Sequence, residues 1–369
     1  MEEKKPVVVY GANGSTGKLI CEYLREYDIP FIAAGRNEER LEAAMKLVPG
    51  NETADYEVRA VEHSVEALTE LFKGASVVCN VVGPFHFYGQ PVVEAALAAG
   101  CHYIDTTGES NWMKQLKDEF GPKFAAANLS LCPGTAYMYI NLEIAAQVAL
   151  EEDGIDTIEA VTSSNGIPTY GSTQTIVSLV KSESTYYENG QRVDWPVAKV
   201  YETVVPGYVM TQLAHPWGGG SLPLWFEDDY RVRNCRTLTT FPDRPMFENI
   251  VQLEGHYHKD IKKLPQEEQD AILFQIAEGM QPGHPPRENR LIHSCVDYAI
   301  GTGGARQREV ILRSGPAYLQ TGAYQAAAAH KLINQGPDKV GFVSPCQMLG
   351  HRYLLSQTET FFATELEVR

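Results

Sequence analysis

The sequence has few positive charges for its length, and this shortage excludes several classes of partner. Its 369 residues include 31 Lys and Arg but 47 Asp and Glu, which gives a formal net charge of −16. Binding to nucleic acid requires a basic surface that neutralises phosphates, so we expect no nucleic-acid partner. No stretch reaches the roughly 18–20 apolar residues of a membrane-spanning helix, so we predict no integral membrane segment.

The sequence also lacks the short motifs of several enzyme classes. It has no GxSxG, GxxxxGK[ST] or HExxH motif. Its seven cysteines are odd in number and never have CxxC spacing, which predicts reduced thiols. His256 and His258 lie two residues apart without further ligands nearby, so no metal site is predicted. MEEKKP runs directly into a strand-like VVVY, which predicts no secretory leader and, with reduced thiols, a cytoplasmic protein.

The first 130 residues alternate short apolar runs with amphipathic helical patterns. Val7–Tyr10 and Phe31–Ala34 are typical of buried parallel strands, and Pro91–Ala99 is predicted as a helix. Strands that alternate with helices every 20 to 30 residues indicate βαβ units. The fold class predicted here is therefore α/β, with a Rossmann-type, doubly wound parallel sheet.

The pattern changes near residue 134. Residues 186–260 mix aromatic residues, Pro and Gly with β-type alternation, which favours a second domain of the α+β class. Near the end, residues 346–364 have the pattern of one helix. We predict a dinucleotide-binding domain over 1–133, a substrate and dimerisation domain over 134–315, and C-terminal helices over 316–369 that pack back on the first domain.

The turn after the first strand has the composition of a phosphate-binding loop. Gly11 permits a tight turn, Gly14 allows a pyrophosphate to approach the backbone, and Gly17 allows the helix to pack close to the strand. The start of the following helix offers amide groups and a positive dipole end to the phosphates. The GxxGxxG spacing therefore predicts a dinucleotide site that comprises Gly11, Asn13, Gly14, Ser15, Thr16 and Gly17.

The residues after the second strand indicate which cofactor is preferred. NAD enzymes usually place an acidic residue there, which binds the ribose 2′-hydroxyl. This chain has Arg36 and Asn37 instead, and a guanidinium complements a 2′-phosphate. We therefore predict NADP (NADPH) as the cofactor, with Arg36 and Asn37 as binding residues.

Several longer segments carry a family resemblance. GANGSTGKLICEYL, AAGRNEERL and the central NVVGPFHFYGQPVVEAALAAGCHYIDTTGE resemble the saccharopine dehydrogenase-like oxidoreductases, which include the trans-acting enoyl reductases. GPAYLQTGAYQAAAAHKLI and GFVSPCQMLG resemble the C-terminal helices of that family. Residues 150–310 match poorly. The resemblance implies a Rossmann domain, an inserted domain with a mixed sheet, nicotinamide chemistry and a homodimer.

The resemblance also implies positions for site residues. Val82, Gly83 and Pro84 follow the fourth strand, where the chain would pass the nicotinamide ribose. Tyr88 lies in the loop that begins the next helix, and Asp105 ends the following strand. The family usually has Phe-Asp-Ser-Val-Pro-Ser-Asp after Cys-Pro-Gly, but here both acidic positions are lost, to Ala136 and Asn141, and Tyr137 and Tyr139 become available. We take Tyr88, Asp105 and Tyr137 as the catalytic candidates.

The second domain suggests the kind of substrate and leaves alternatives open. Its many aromatic residues, and a segment at 215–226 that resembles a glycine-hinged lid, favour a small apolar or aromatic carbonyl substrate. The first hypothesis is an NADP-dependent reductase of a conjugated C=C or C=O bond. The second is an imine reductase of the saccharopine or opine type, which needs an arginine clamp such as Arg231, Arg233 and Arg236. The third is a non-catalytic NADP-binding sensor or scaffold.

Overall fold

The computed structural model describes residues 5–182, 184–216, 221–280 and 285–369. The chain forms two compact units. The first comprises residues 1–107, 112–140 and 318–361, and the second comprises residues 108–111, 141–317 and 362–369. The helices that close the first unit therefore come from the C-terminal part of the chain.

Strands and helices alternate in the first 133 residues. The strands are β1 (Val7–Tyr10), β2 (Phe31–Gly35), β3 (Tyr56–Ala60), β4 (Val77–Asn80), β5 (His102–Asp105) and β6 (Ser130–Cys132). The helices are α1 (Ser15–Glu26), α2 (Glu38–Met45), α3 (Val65–Phe72), α4 (Phe85–Ala99), α5 (Ser110–Gln115) and α6 (Gly121–Ala126), with a 3₁₀ turn at Asn51–Thr53 and a π-helical turn at Leu116–Phe120.

The middle of the chain combines longer strands with helices. The strands are β7 (Thr157–Ser164), β8 (Thr185–Glu188), β9 (Gln191–Asp194), β10 (Tyr201–Thr203), β11 (Gln212–His215), β12 (Asn234–Thr240), β13 (Cys295–Gly303) and β14 (Arg306–Ser314). The helices are α7 (Tyr137–Ala149), α8 (Tyr170–Leu179), α9 (Ser221–Phe226), α10 (Arg244–Lys259) and α11 (Gln266–Met280), with a 3₁₀ turn at Ile261–Lys263.

The C-terminal part contains three helices and two short strands. They are α12 (Ala317–Asn334), β15 (Gly341–Phe342), α13 (Pro345–Leu349), α14 (His351–Phe361) and β16 (Glu365–Val368). β15 joins the sheet of the first unit and β16 joins the sheet of the second.

The first unit is built on a parallel sheet in the order β15-β6-β5-β4-β1-β2-β3. Every residue of β1 and β4 is buried, as expected for central strands that are covered on both faces. Tyr10 pairs with Ala34 of β2 and with Asn80 of β4, so the carboxyl ends of these strands meet at one edge. Open α/β sheets bind their ligands at this edge.

The second unit is built on a mixed sheet. Its main order is β10-β11-β12-β7-β13-β14-β16, and β8 pairs with β12 and with β9. β12 and β7 are parallel, whereas β7, β13, β14 and β16 are antiparallel neighbours. The predicted fold class, a Rossmann-type sheet with a second α+β domain and C-terminal helices that return to the first unit, is confirmed.

Three local predictions were wrong. Residues 244–259 form α10 rather than β structure: Asp243 caps its start, and Phe247, Ile250, Val251, Glu254 and Tyr257 form its buried face. Tyr88 lies inside α4, which begins six residues before Pro91. Residues 346–364 form two helices rather than one, because Gly350 adopts φ +84 between them.

Candidate functional site

The glycine turn between β1 and α1 is packed so closely that side chains are excluded. Gly11 has φ +96, and a Cβ there would lie 2.9 Å from Val82 Cγ2. A Cβ on Gly17 would lie 2.3 Å from the Gly11 carbonyl oxygen and 2.7 Å from Ala12 Cα. These approaches bring the start of α1 against the end of β1, as a dinucleotide-binding turn requires.

The start of α1 differs from the starts of the two following helices. Asn37 caps α2 by accepting a hydrogen bond from Arg40 N at 2.9 Å, and acidic residues follow in the first turn. Ser64 caps α3 in the same way, and Glu66 follows. Gly14 offers α1 no side-chain cap, and the first turn of this described helix contains no acidic residue. Its positive end is therefore left for an external anion.

The predicted cofactor residues lie around this turn. Asn13 is exposed, Ser15 and Thr16 begin α1 and are half-buried, and Arg36 is exposed immediately after β2. Asn37 caps α2 through its Oδ1 atom, and the Nδ2 atom of the same amide group is the one that would contact a ligand. Val82, Gly83 and Pro84 connect β4 to α4, beside Gly11.

An aromatic cluster lies at the same edge of the sheet. The Tyr10 hydroxyl is 2.8 Å from His63 Nδ1, and the two rings stack. Tyr88 meets the His63 ring edge-on at 5.8 Å and is 41% exposed. Burial, and then the positive charge of Arg36, lower the pKa of His63 and so favour its neutral imidazole. The structure therefore places Tyr88 beside His63.

Asp105 belongs to a buried hydrogen-bonded chain that joins β4, β5 and the segment that follows β6. The Tyr103 hydroxyl donates to Asp105 Oδ2 at 2.9 Å and accepts from Asn80 Nδ2 at 2.9 Å. Asp105 Oδ1 accepts from the amides of Thr107 and Gly134, and Asn80 Oδ1 accepts from Val82 N. This chain fixes the backbone on either side of the predicted nicotinamide position. The sequence analysis missed Tyr103, although a tyrosine in a short buried strand is a signal for such a contact.

The segment that leads into Tyr137 is hydrogen-bonded to Asp105. Thr135 N donates to the Asp105 carbonyl oxygen at 2.7 Å, and α7 begins two residues later with Tyr137. Tyr137 is 8% exposed, and its amide donates to Thr321 Oγ1 of α12. The structure therefore places Tyr137 two residues after a backbone contact with Asp105.

The two lost acidic positions have different surroundings. Ala136 is buried just before α7. Asn141 is buried inside the second unit and donates through Nδ2 to Asp297 Oδ2 at 3.1 Å and to Ser314 Oγ at 3.0 Å. Burial raises the pKa of Asp297 to about 7, with Thr162 and Asn141 opposing this shift. A carboxyl group is thus supplied to Asn141 from β13, which sequence spacing could not reveal.

Most of the predicted arginine clamp is already neutralised within the second unit. Arg231 donates to both carboxylate oxygens of Asp229, at 3.0 and 2.7 Å. Arg236 forms an ion pair with Glu188 at 2.5 Å and lies over the Tyr186 ring. Arg233 is exposed. Two of the three guanidinium groups are therefore held by carboxylates of the protein itself.

The aromatic residues of the second unit pack against one another. Tyr186, Trp195 and Tyr201 form successive ring contacts at 4.7 and 5.2 Å. Of the predicted lid, residues 217–220 lie outside the described residues, and the part that follows forms α9, whose six residues are all buried. Within the described ranges, no three His, Cys, Asp or Glu side chains are grouped as a metal site would need, and no helix has the length and apolarity to cross a bilayer.

Comparisons with known proteins agree with this geometry. Residues 7–127 match the saccharopine dehydrogenase NADP-binding domain, and residues 141–366, more than half of the chain, match a family of unknown function (DUF5938). Saccharopine dehydrogenase (L-Glu forming) from Saccharomyces cerevisiae has a similar fold, with a TM-score of 0.60 over 99% of this chain and 100% of that chain at 11% identity.

Curated relatives match over shorter regions. A human saccharopine dehydrogenase-like oxidoreductase is 34% identical over 33% of this chain and 32% of its own length. A Mycobacterium tuberculosis protein, provisionally named a trans-acting enoyl reductase, is 36% identical over 30% of this chain and 27% of its own. A lipid droplet localized protein of Caenorhabditis elegans is 34% identical over 31% of this chain and 29% of its own. The match thus spans about a third of these relatives' length.

Proposed function

Because the chain belongs to the saccharopine dehydrogenase-like oxidoreductases and, through residues 141–366, to the DUF5938 family, we propose that it is an NADP-dependent reductase of a conjugated C=C or C=O bond in an apolar or aromatic carbonyl compound. The observation that carries this proposal is the uncapped start of α1 on a glycine turn, with Arg36 at the end of the neighbouring strand. We also propose a homodimeric, cytoplasmic protein.

The residues at the sheet edge fit this cofactor. The amides at the start of α1 bind the diphosphate, with Gly11, Gly14 and Gly17 keeping the approach open. Arg36 binds the 2′-phosphate, for which its guanidinium geometry is suited. Asn80 and Asp105 hold the segments that contain Val82–Pro84 and Gly134, so the nicotinamide ribose meets a fixed backbone. NADPH supplies the hydride when it is bound.

The protein must then supply a proton donor and exclude water. For a conjugated substrate, hydride reaches the β-carbon, a hydroxyl donor stabilises the developing enolate oxygen, and a proton finally reaches the α-carbon. We assign the oxygen-binding role to the Tyr137 hydroxyl, because Tyr137 is buried and lies two residues after a backbone contact with Asp105. Asp105 orients this segment, and Tyr88 borders the adenosine end of the cofactor.

The arginine contacts favour this function over the imine reductase. A clamp for an amino-acid carboxylate needs guanidinium groups whose charge is available to the substrate. Arg231 and Arg236 are held by Asp229 and Glu188, which argues against such a clamp. The name of the mycobacterial relative favours an enoyl substrate. A cofactor-binding sensor without turnover stays the second alternative.

Cofactor titration tests the central assignment. We expect NADPH to bind more tightly than NADH, and Arg36→Ala to weaken NADPH by about ten- to a hundredfold, since a charged hydrogen bond contributes about 1.5–3 kcal/mol. NADH affinity should stay within about twofold, because it has no 2′-phosphate. Arg59→Ala is the matched control, since Arg59 lies on β3 and pairs with Glu57. Tighter binding of NADH by the wild-type protein would contradict the assignment of Arg36.

Turnover separates the three functions. We expect NADPH oxidation with enones or aldehydes and none with keto-acid and amine pairs. Tyr137→Phe should lower kcat at least tenfold while NADPH affinity is unchanged, because a donor that acts in the transition state is lost. Tyr139→Phe, two residues along α7, is the control. Binding of NADPH without oxidation of any of these compounds would favour the sensor.

A further inference from the structure

Six aliphatic side chains are exposed at one end of the sheet in the second unit. Their exposed fractions run from 53% for Ile167 to 103% for Val209. Single exposed aliphatic residues are ordinary, but a contiguous apolar patch on a protein surface usually marks an interaction site. We name this patch the apolar edge and define it as Ile167, Val204, Val209, Met210, Leu291 and Ile292.

Strand directions bring these residues to the same end of the sheet. β10 runs antiparallel to β11, β11 runs antiparallel to β12, and β12 runs parallel to β7, so β10 and β7 end on the same side. β13 is antiparallel to β7 and begins there. The segments 204–211, 165–169 and 289–294 therefore lie at the same end of the sheet, and the four spacings from β10 to β13 give about 19 Å if strands are about 4.8 Å apart.

The segments that carry the apolar edge are held firmly. Asn165 Nδ2 donates to the Ile292 carbonyl oxygen at 2.9 Å, and Ser294 N donates to Asn165 Oδ1 at 2.8 Å. In the segment 204–211, Val205 is fully buried and Tyr208 packs with it in a cluster that includes Val296 of β13. The exposed tips are therefore presented by anchored loops.

The chemistry of these loops favours a lipid surface as the occupant. Residues 204–211 read VVPGYVMT and contain no charged side chain, although the whole chain has a net charge of −16. Val209 and Met210 protrude, with exposed fractions of 103% and 78%, which suits insertion among acyl chains better than a flat protein interface. Arg287 and Arg290 are exposed just before Leu291, with Glu288 between them and Arg290 over the Phe362 ring, so this segment has a net charge of +1 beside the tips.

We propose that the apolar edge docks the protein on a zwitterionic lipid surface. The aliphatic tips enter the boundary between headgroups and acyl chains, and the two arginines lie at the level of the lipid phosphates, a position that suits long cationic side chains. The net charge of −16 gives no attraction to an anionic surface, so insertion and not bulk charge governs the binding. This inference is independent of the proposed reductase activity.

Vesicle flotation with the full chain tests the proposal. We expect the protein to float with phosphatidylcholine vesicles, and the double variant Val209→Glu, Met210→Glu to bind at least tenfold less, with an unchanged melting temperature. Leu47→Glu is the matched control, because Leu47 is 71% exposed in the first unit and should leave binding unchanged.

Two further measurements distinguish the other occupants. Added phosphatidylserine should not strengthen binding at low salt. A requirement for phosphatidylserine, or the absence of flotation with phosphatidylcholine, would overturn the proposal. Sedimentation velocity across a range of protein concentrations should be the same for the wild type and the double variant. If the double variant instead abolishes self-association, the apolar edge is an interface between two copies of the chain and the lipid assignment is wrong.

Discussion

The two units contain two buried polar clusters that differ in how well they are satisfied. In the first unit, Asn80, Tyr103 and Asp105 are fully buried, and hydrogen bonds join each of them to the next and to the backbone. In the second unit, Thr162 contacts Asp297, but the buried hydroxyl oxygens of Thr237 and Thr239 on the same face of the sheet have no hydrogen-bond partner among the described residues.

The second cluster follows the register of the sheet. Thr239 is paired with Thr162, and Thr162 is paired with Asp297, so their side chains form a row on one face of three adjacent strands. Asn141 contacts the Asp297 end of this row. Buried polar groups without partners cost free energy, whereas completed networks rigidify a fold. The difference indicates that the first cluster is a finished framework around the cofactor edge, and that the second has spare hydrogen-bonding capacity.

The largest expected effect comes from breaking the completed network. Asp105→Ala leaves the Tyr103 hydroxyl and the amides of Thr107 and Gly134 without their acceptor. At about 1–3 kcal/mol for each of these three orphaned buried groups, we expect the free energy of unfolding to fall by about 3–9 kcal/mol. Urea denaturation of the cofactor-free protein measures this. Asp118→Ala, at an exposed ion pair, is the control, and a comparable loss in both variants would contradict the assigned role of the network.

The next effect is a dependence of stability on pH that arises in the second cluster. The pKa of Asp297 is about 7 in the folded protein and about 3.8 in the unfolded chain. As pH rises from 4 to 7, the unfolded chain loses this proton while the folded protein retains it, so the free energy of unfolding falls. We expect a loss on the order of 2–4 kcal/mol that levels off above pH 7.

Asp297→Asn removes this titration. The free energy of unfolding of the variant minus that of the wild type should therefore increase between pH 4 and 7, as measured by urea denaturation at several pH values. Asp118→Asn should show no such trend. A constant difference between Asp297→Asn and the wild type over this range would mean that Asp297 does not retain its proton.

The two clusters also show what the sequence can and cannot predict. Short-range signals were sufficient for the glycine turn, because Gly11, Gly14 and Gly17 act through their own backbone. They were sufficient for the alternation of strands and helices in the first unit as well. The contact between Asn141 and Asp297 joins residues 156 positions apart, and its existence depends on the register of β13 against β7. No local pattern encodes that register.

Helix boundaries were missed for a different reason. Pro91 resembles a helix start, since proline is favoured in the first turn. α4 nevertheless begins at Phe85. Pro91 has no backbone N–H, so one hydrogen bond is missing inside the helix, at a local cost in free energy. Tyr88 therefore lies in a helix rather than in a loop, and its ring contacts His63. Tertiary packing determines which residues the Tyr88 side chain contacts, and the spacing of residues in the sequence does not predict this packing.

The smallest expected effect is on the free energy of unfolding, when two adjacent threonines of β12 are each replaced by valine. The Thr240 hydroxyl donates to the Leu213 carbonyl oxygen at 2.6 Å and lies 3.0 Å from Gln212 Oε1, whereas the Thr239 hydroxyl has no partner in the part of the chain that the structure describes. Valine has nearly the same shape as threonine, so each substitution removes a hydroxyl and little else. Thr240→Val should lower the free energy of unfolding by about 1–2 kcal/mol, and Thr239→Val should raise it by about 0.5–1 kcal/mol, because an unsatisfied buried hydroxyl is removed.

Thermal or urea denaturation of the two variants and of the wild type at pH 8 gives the comparison directly. Both side chains are fully buried and belong to the same strand, so differences in solvent exposure and backbone propensity cancel. If Thr239→Val destabilises the protein as much as Thr240→Val does, the Thr239 hydroxyl has a partner in solution, and the row that ends at Asp297 is as complete as the network around Asp105. If it stabilises the protein, the second unit maintains a polar row at a cost in stability, which is the expected behaviour of residues kept for binding and not for folding.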